Sequence, residues 1–257
     1  MERTRPKVWA EVLLVGAGYV VYSKIQNSVH GHAATAYRHA RDILDWEGAV
    51  GLAFEKTVNK AANGVGWLIT AMNYFYSTLW IAVTLGVLVW LYVRRPEHYR
   101  PARRTLFTTT MLALAGFFLF PLAPPRLMPG YIDTIITHGT WGSFSTGGLA
   151  SLSNQYAAMP SMHMGWSLWA GLSLYLYARP RWARIAGLLY PPATLTVIIA
   201  TANHYVLDAV GGAATLAAGY LVQRYGMVAA RRLSGSRSKQ PLPAGAAADP
   251  EMAGTRS

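Results

Sequence analysis

Apolar and polar positions fall into long alternating blocks along this chain. Apolar runs occupy residues 8–22, 75–93, 105–123, 160–178, 185–202 and 205–222. Each is close to the roughly 20 residues that a helix needs to cross a bilayer. The second run can be extended back to about Gly66. The fifth holds Pro191 and Pro192. These should kink the helix rather than end it, because neighbouring helices can satisfy the freed backbone groups. Residues 29–63 have a different pattern. Ile43, Leu44, Leu52 and Phe54 recur at helical spacing among charges, as in helices that lie along a membrane surface. From Ser234 onward Gly, Ala, Pro and Ser dominate without apolar periodicity, which predicts disorder. The expected fold class is all-α: a six-span transmembrane helix bundle with an outer interfacial helical segment. Its parts are a cytoplasmic N-terminus and first span at 1–28, the interfacial segment at 29–63, a five-span catalytic core at 64–232 and a disordered cytoplasmic tail at 233–257.

Composition supports this pattern. Of 257 residues, 53% are hydrophobic and 13% charged, against about 25% charged in soluble domains. The net charge of +12 does not call for nucleic acid, since the basic residues sit in short clusters between apolar runs. The absence of cysteine excludes disulfides, thiol catalysis and cysteine metal ligation. A cleaved signal peptide ending near Ala34-Thr35-Ala36 competes for the first run. Against it, the cut would lie far beyond the run, and Glu11 sits inside the run.

The basic clusters also orient the spans. Arg3, Arg5 and Lys7 precede the first. Arg94, Arg95, Arg100, Arg103 and Arg104 follow the second, Arg179, Arg181 and Arg184 the fourth, and Arg224, Arg231, Arg232, Arg237 and Lys239 the sixth. Every second connection is basic, which puts both termini in the cytoplasm. The opposite connections carry Lys24, Arg38, Arg41, Lys56, Lys60 and Arg126, with Asp42, Asp45, Glu47 and Glu55 offsetting the first five.

On that topology the chemistry collects at the outer face. Arg126 follows the third span, Ser161 and His163 open the fourth, and His204 and Asp208 flank the junction of the fifth and sixth. Ionisable residues held at a membrane are costly and mark function. Pro160 suits the first position of a helix, whose unpaired N–H groups favour an anion, and the Ser161 hydroxyl can add a donor. His204 and Asp208 would share a helix face. The carboxylate could then hold one ring nitrogen and leave the other as nucleophile or base. His163 can serve as general acid, and Arg126 can bind phosphate through its guanidinium fork. Bland readings compete: a capping serine, an interfacial His–Asp pair, a snorkelling arginine. Zinc held by His163, His204 and Asp208 is compatible with the ligand types, but the arginine and helix N-terminus supply an anion site without it. No metal or cofactor is expected. Residues 127–158 are long for a connection. Tyr131, Ile132, Ile135, Ile136 and Trp141 precede a flexible stretch at 142–148, which suggests a loop that selects the lipid.

At Ala123-Pro-Pro-Arg126, Met159-Pro-Ser-Met-His163 and His204-Tyr-Val-Leu-Asp208 the chain resembles the type 2 phosphatidic acid phosphatase superfamily. It looks most like the branch of inositol phosphorylceramide synthases and related phosphotransferases. The resemblance implies a metal-independent reaction through a phosphohistidine. His204 would be the nucleophile, Asp208 its orienting carboxylate and His163 the acid, with Arg126 and Ser161 binding phosphate. In two places the chain departs from the superfamily's phosphatases. Leu119 stands where they carry a lysine, seven residues before the arginine. Ile198 stands where they carry an arginine, six residues before the nucleophile. The phosphotransferase branch also lacks that second arginine.

The expectation is thus a multi-pass cell-membrane enzyme, a lipid phosphatase or phosphotransferase working extracytoplasmically on a lipid phosphate or phosphodiester. Its partners would be the lipid and the bilayer, and not nucleic acid. Two other classes compete. An intramembrane serine protease built on Ser161 and His204 would leave Arg126 and His163 idle. A transporter or non-catalytic scaffold is the other: transport sites lie near the midplane in broken helices, whereas here the ionisable groups sit at one surface and only the Pro191-Pro192 break favours transport.

Overall fold

A computed structural model of the chain describes residues 6–28, 33–140 and 155–237. The chain divides into a compact unit, Met1–Gln223, and a second unit, Arg224–Ser257; the architecture below is that of the first. In order, the helices are α1 (Val8–Ser28), α2 (Ala33–Ala49), α3 (Glu55–Asn63), α4 (Gly66–Tyr74), α5 (Trp80–Arg94), α6 (Pro96–Leu119), α7 (Thr134–Thr137), α8 (Met162–Tyr177), α9 (Arg181–Ala200) and α10 (Val206–Arg237). A π-helical stretch, Phe75–Leu79, joins α4 to α5, and a 3-10 turn, Pro125–Leu127, follows α6. Among the described residues the only β-type pairing is an isolated bridge between Leu122 and Ala157. The all-helical class read from the sequence is therefore observed.

Among the described residues, three helical stretches are long and apolar enough to cross a membrane: Gly66–Arg94, Arg181–Ala200 and Val206–Val228. They correspond to the second, fifth and sixth apolar runs. The other three runs give different helices. The apolar part of α1 covers Val8–Gly18. Helix α6 begins among Glu97, Arg100, Arg103 and Arg104. It stops at Leu119, short of residue 123, because Pro121 has no N–H to donate and Leu122 N–H turns instead to the Tyr156 carbonyl at 2.8 Å. Helix α8 has 16 residues. Pro191 and Pro192 lie inside an unbroken α9, as expected of a helix supported by its neighbours. Glu11, the acid in the first apolar run, is paired with Arg103 and accepts the Tyr99 hydroxyl at 2.8 Å, so its charge is met by α6.

The segment expected to be interfacial forms α2 and α3 among its described residues. Ala36, Ala40, Ile43 and Glu47 make the buried stripe of α2. The three apolar members pack with Leu122, Ala123, Ala158 and Tyr205. Glu47 and Glu55, read from sequence as offsetting surface charges, are instead 0% and 1% exposed. Helix α10 continues to Arg237, past Ser234; residues 238–257 lie outside the described part, as do Trp141 and Gly142 to Gly148 of the expected selecting loop. The described half of that loop is tied down. Ile132 N–H donates to Asn59 Oδ1 at 2.8 Å, and the Thr134 hydroxyl to Asn73 Oδ1 at 2.8 Å. Both asparagines are fully buried.

Close backbone crossings set the bundle. Gly171 on α8 and Gly187 on α9 each face the other's carbonyl oxygen, the small-residue contact that lets membrane helices approach. Where α10 passes the start of α8, a Cβ on Gly212 would overlap the Ser161 carbonyl oxygen. Gly212→Ala is therefore expected to cost about 1–3 kcal/mol by overpacking and to displace Ser161. Gly86→Ala, which meets nothing within 4 Å, should be harmless. Thermal unfolding of both variants in detergent checks this, and equal midpoints would refute it.

Candidate active site

Four stretches of chain meet at one end of the bundle: 121–126, 158–164, 198–204 and the first turn of α10. The stretch after α6 is extended. Ala123 N–H reaches the Ala36 carbonyl at 3.2 Å, and Ala158 N–H the Leu122 carbonyl at 3.4 Å. Between α9 and α10 the chain turns sharply. Asn203 and His204 N–H groups both point to the Ile198 carbonyl, at 3.0 and 3.2 Å. Ala202 takes φ +53, a left-handed conformation uncommon for an L-residue and concentrated at functional sites. Its carbonyl accepts Arg126 N–H at 2.8 Å. The turn thus locks Arg126 to the segment that carries His204.

His204 is 4% exposed. Its Nδ1 lies 3.0 Å from the Ala158 carbonyl and 3.4 Å from Asp208 Oδ2. A carbonyl only accepts, so Nδ1 carries the hydrogen and Nε2 the lone pair. Burial pushes the imidazole down to about 3, so at neutral pH the ring is uncharged and Nε2 holds a lone pair. Nε2 faces His163 Nδ1 at 3.3 Å, an arrangement in which His163 Nδ1–H donates. The sequence puts His204 at the end of the fifth span and Asp208 at the start of the sixth, close enough to share a face if one helix held both. In the structure His204 precedes α10, and Asp208 lies in its first turn. The pairing survives because Asp208 Oδ2 turns back to accept Tyr205 N–H at 3.0 Å, which sets the carboxylate beside the ring.

His163 is held by aromatic rings. Tyr76 stacks on it, with centroids 4.2 Å apart and planes at 21°, and Trp80 meets it edge-on at 5.2 Å. Its Nε2 is buried without a hydrogen-bond partner. The π-helical stretch supplies Tyr76 and leads into Trp80; such local widening is frequent at functional sites. These two aromatics were missed in the sequence, where they read as ordinary members of an apolar run.

Met162, rather than Pro160, begins α8, and Ser161 is its N-cap. The Ser161 backbone is extended, and its Oγ caps the helix by accepting Met164 N–H at 3.3 Å. The Ser161 N–H donates to the Asp208 carbonyl at 3.0 Å, so α8 and α10 start against each other. The fully buried hydroxyl retains its own hydrogen for a ligand. Arg126 is held from two sides: Nη1 donates to Asn203 Oδ1 at 2.5 Å, and Nε lies 3.7 Å from Asp133. Asp133 also caps α7 through Ile135 and Ile136 N–H. Asn203 and Asp133 were not singled out in the sequence. Asn203 stands next to His204, a position that could have drawn notice.

His163, His204 and Asp208 do not converge as three ligands of one ion. Asp208 and His163 approach opposite nitrogens of the His204 ring, and no metal-holding group of three or more His, Asp or Glu side chains occurs among the described residues. Ile198 is fully buried against Val197, Ile199, Ala209 and Tyr76, while Leu119 is 76% exposed. Neither position is filled by a cation. Arg126 is the cation whose field acts on His204.

Taken together, the arrangement offers a neutral imidazole with a lone pair on Nε2, a second imidazole within reach of it, a fixed guanidinium and a capped helix start. No curated protein and no solved structure matches the chain. A family model described as the PAP2 superfamily matches residues 41–222, a stretch that contains Arg126, Ser161, His163, His204 and Asp208, and the chain belongs to that superfamily, whose membership suggests a phosphatase or phosphotransferase of the phosphoesterase type.

Proposed function

We propose that the protein is an integral membrane lipid phosphatase or phosphotransferase that works at the extracytoplasmic face through a phosphohistidine on His204. The observation that carries this reading is the fixed tautomer of His204, with Nδ1–H on the Ala158 carbonyl and Nε2 directed at His163. In the first step the Nε2 lone pair forms a bond to phosphorus while the bond from phosphorus to the lipid oxygen breaks. His163, which takes up a proton as the phosphate anion binds, hands it to that oxygen and returns to neutral. In the second step water or an alcohol attacks phosphorus, His163 takes its proton back, and the P–N bond breaks. The 3.3 Å separation of the two rings leaves no space for phosphorus between them. Binding must therefore swing His163 toward the leaving oxygen. Arg126 and the Ser161 hydroxyl would meet the phosphoryl oxygens and stabilise their charge.

A lipid substrate is supported by the surroundings. An apolar cavity of about 360 Å³ lies between α1, α5, α6 and α8, lined by Val15, Leu88, Phe107, Thr110 and Trp166 among others. Trp166 contacts Trp80 at 4.8 Å, and Trp80 in turn touches His163. Transfer to an alcohol, as in the inositol phosphorylceramide synthase-like branch, is favoured over hydrolysis by the buried Ile198. A second arginine there would make the site more basic. We place six spans in the bilayer, with both termini cytoplasmic.

The test is an assay of purified protein with phosphatidic acid, a prenyl diphosphate, and a phospholipid donor mixed with inositol. The expected result is phosphorus-containing product from the third mixture, with free phosphate a minor product. Release of phosphate from the first two alone would make the protein a hydrolase, and no turnover of any would sink the reading. The face is tested separately in this cysteine-free chain. Cysteine at Thr137 should react with an impermeant thiol reagent in intact cells, and cysteine at Glu97 should not. The reverse pattern would invert the topology.

A further inference from the structure

The first turn of α10 is capped by side chains from far away in the sequence. Val206 N–H donates to Glu55 Oε1 at 3.0 Å, and Leu207 N–H to Glu47 Oε1 at 2.7 Å. Asp208 Oδ2 takes Tyr205 N–H. Three consecutive N–H groups of a helix start are thus met by three carboxyl groups, two of them from the interfacial helices α2 and α3. All three are 0–1% exposed. A helix N-terminus favours negative charge, but three buried carboxylates side by side repel one another. The second oxygens, Glu47 Oε2 and Glu55 Oε2, are buried and find no donor elsewhere, and the two carboxyls are in side-chain contact. No ion pair joins either to a described basic residue. A proton between them satisfies both orphaned oxygens and removes one charge from the cluster.

We propose that Glu47 and Glu55 are positioning residues that share one proton and so hold the start of α10, with Asp208 and the adjoining His204, in its working geometry. This rests on the phosphohistidine reading above only for its kinetic consequence. The groups facing the pair are Asp208 on α10 and Tyr131 and Tyr205 on either side. Their carboxylate and phenol character means that none supplies a compensating positive charge. Burial first, then contact with Glu55, pushes the Glu47 carboxyl up to about 9. In the unfolded chain it titrates near 4.5. The folded state therefore keeps a proton that the unfolded state loses between those values. The stabilisation is complete below about 4.5 and is lost as pH rises through about 9. Above that, two adjacent anions would loosen the α10 cap, and the His204–Asp208 pair with it.

The experiment compares wild type, Glu47→Gln and Glu47→Ala. Two readouts are taken as functions of pH: kcat with whichever phosphoester the wild type turns over, and the unfolding midpoint in detergent. In wild type the unfolding midpoint should decline as pH rises from about 4.5 to about 9, and kcat should fall as pH rises through about 9. Glu47→Gln keeps an acceptor for Leu207 and gives Glu55 a permanent donor. It should retain kcat within a few-fold at pH 7.5 and lose both declines. Glu47→Ala should lower kcat at least tenfold with KM little changed, and Glu47→Gln should thus rescue what Ala destroys. An unchanged alkaline limb in Glu47→Gln, or wild-type kcat in Glu47→Ala, would overturn the proposal. The unfolding midpoints decide the matter even if no phosphoester is turned over, so failure of the shared proton and failure of the phosphohistidine mechanism remain distinct.

Discussion

His204→Ala is expected to leave no measurable turnover, while Asp208→Asn leaves a weak but real activity. The difference follows from what each side chain contributes. On the proposed mechanism His204 supplies the atom that bonds to phosphorus, while His163, 3.3 Å away, serves as the acid. Asp208 is a neighbour of the ring rather than its main acceptor. The Ala158 carbonyl is nearer to Nδ1, at 3.0 Å against 3.4 Å, and fixes the tautomer on its own. Asparagine can still accept Tyr205 N–H. What it lacks is the negative charge that supports the cationic ring formed when Nε2 attacks. Loss of one such transition-state interaction costs about 3 kcal/mol, roughly a hundredfold in rate. Rapid-quench labelling with a 32P-substrate separates the two. Wild type should accumulate an acid-labile protein-bound phosphate, Asp208→Asn should form it slowly, and His204→Ala should not form it. Wild-type labelling in His204→Ala would remove the mechanism.

Much of this site could be read from the chain because its key residues are sparse polar interruptions of apolar runs. Near a membrane, such residues are rarely incidental. His204 and Asp208 are four positions apart, so local geometry alone brings them close, although the helix starts between them rather than around them. Long-range partners are another matter. Glu47 and Leu207 are 160 residues apart, and Asn59 and Ala200 are 141 apart; no local period reports such pairs. A trace of Glu47's burial was present all the same. It falls on the same helical stripe as Ala36, Ala40 and Ile43, where an acid is out of place unless it has a partner. Tyr76 and Trp80 gave no such signal, since an aromatic in an apolar run looks the same whether it faces lipid or the His163 imidazole. Helix ends moved for similar reasons. Phe120 to Ala123 read as apolar, and it is Pro121 and the pairing with Tyr156 that make them extended.

Arg126→Ala should lower kcat/KM by about a hundred- to a thousandfold, the usual cost of removing one donor aimed at transition-state charge. With Leu119 exposed and Ile198 apolar and buried, the positions that could share the load are empty of charge. The geometry adds a second expectation, about Asn203. Its Oδ1 accepts from Arg126 Nη1, and its own amide is fixed by the Thr201 hydroxyl at 2.8 Å. Asn203 therefore acts by aiming the guanidinium. Asn203→Ala alone should cost about tenfold, and the double variant Arg126→Ala/Asn203→Ala no more than Arg126→Ala alone, because residues that act as a unit are not additive. Arg126→Lys should recover only part of the loss. A lysine ammonium is a compact point charge and cannot span Asn203 and a phosphoryl oxygen as a planar fork does. Steady-state kinetics of the four variants measure this directly. Additive losses in the double variant would mean that Asn203 touches the substrate itself. Full activity in Arg126→Lys would reduce the arginine to a diffuse positive charge.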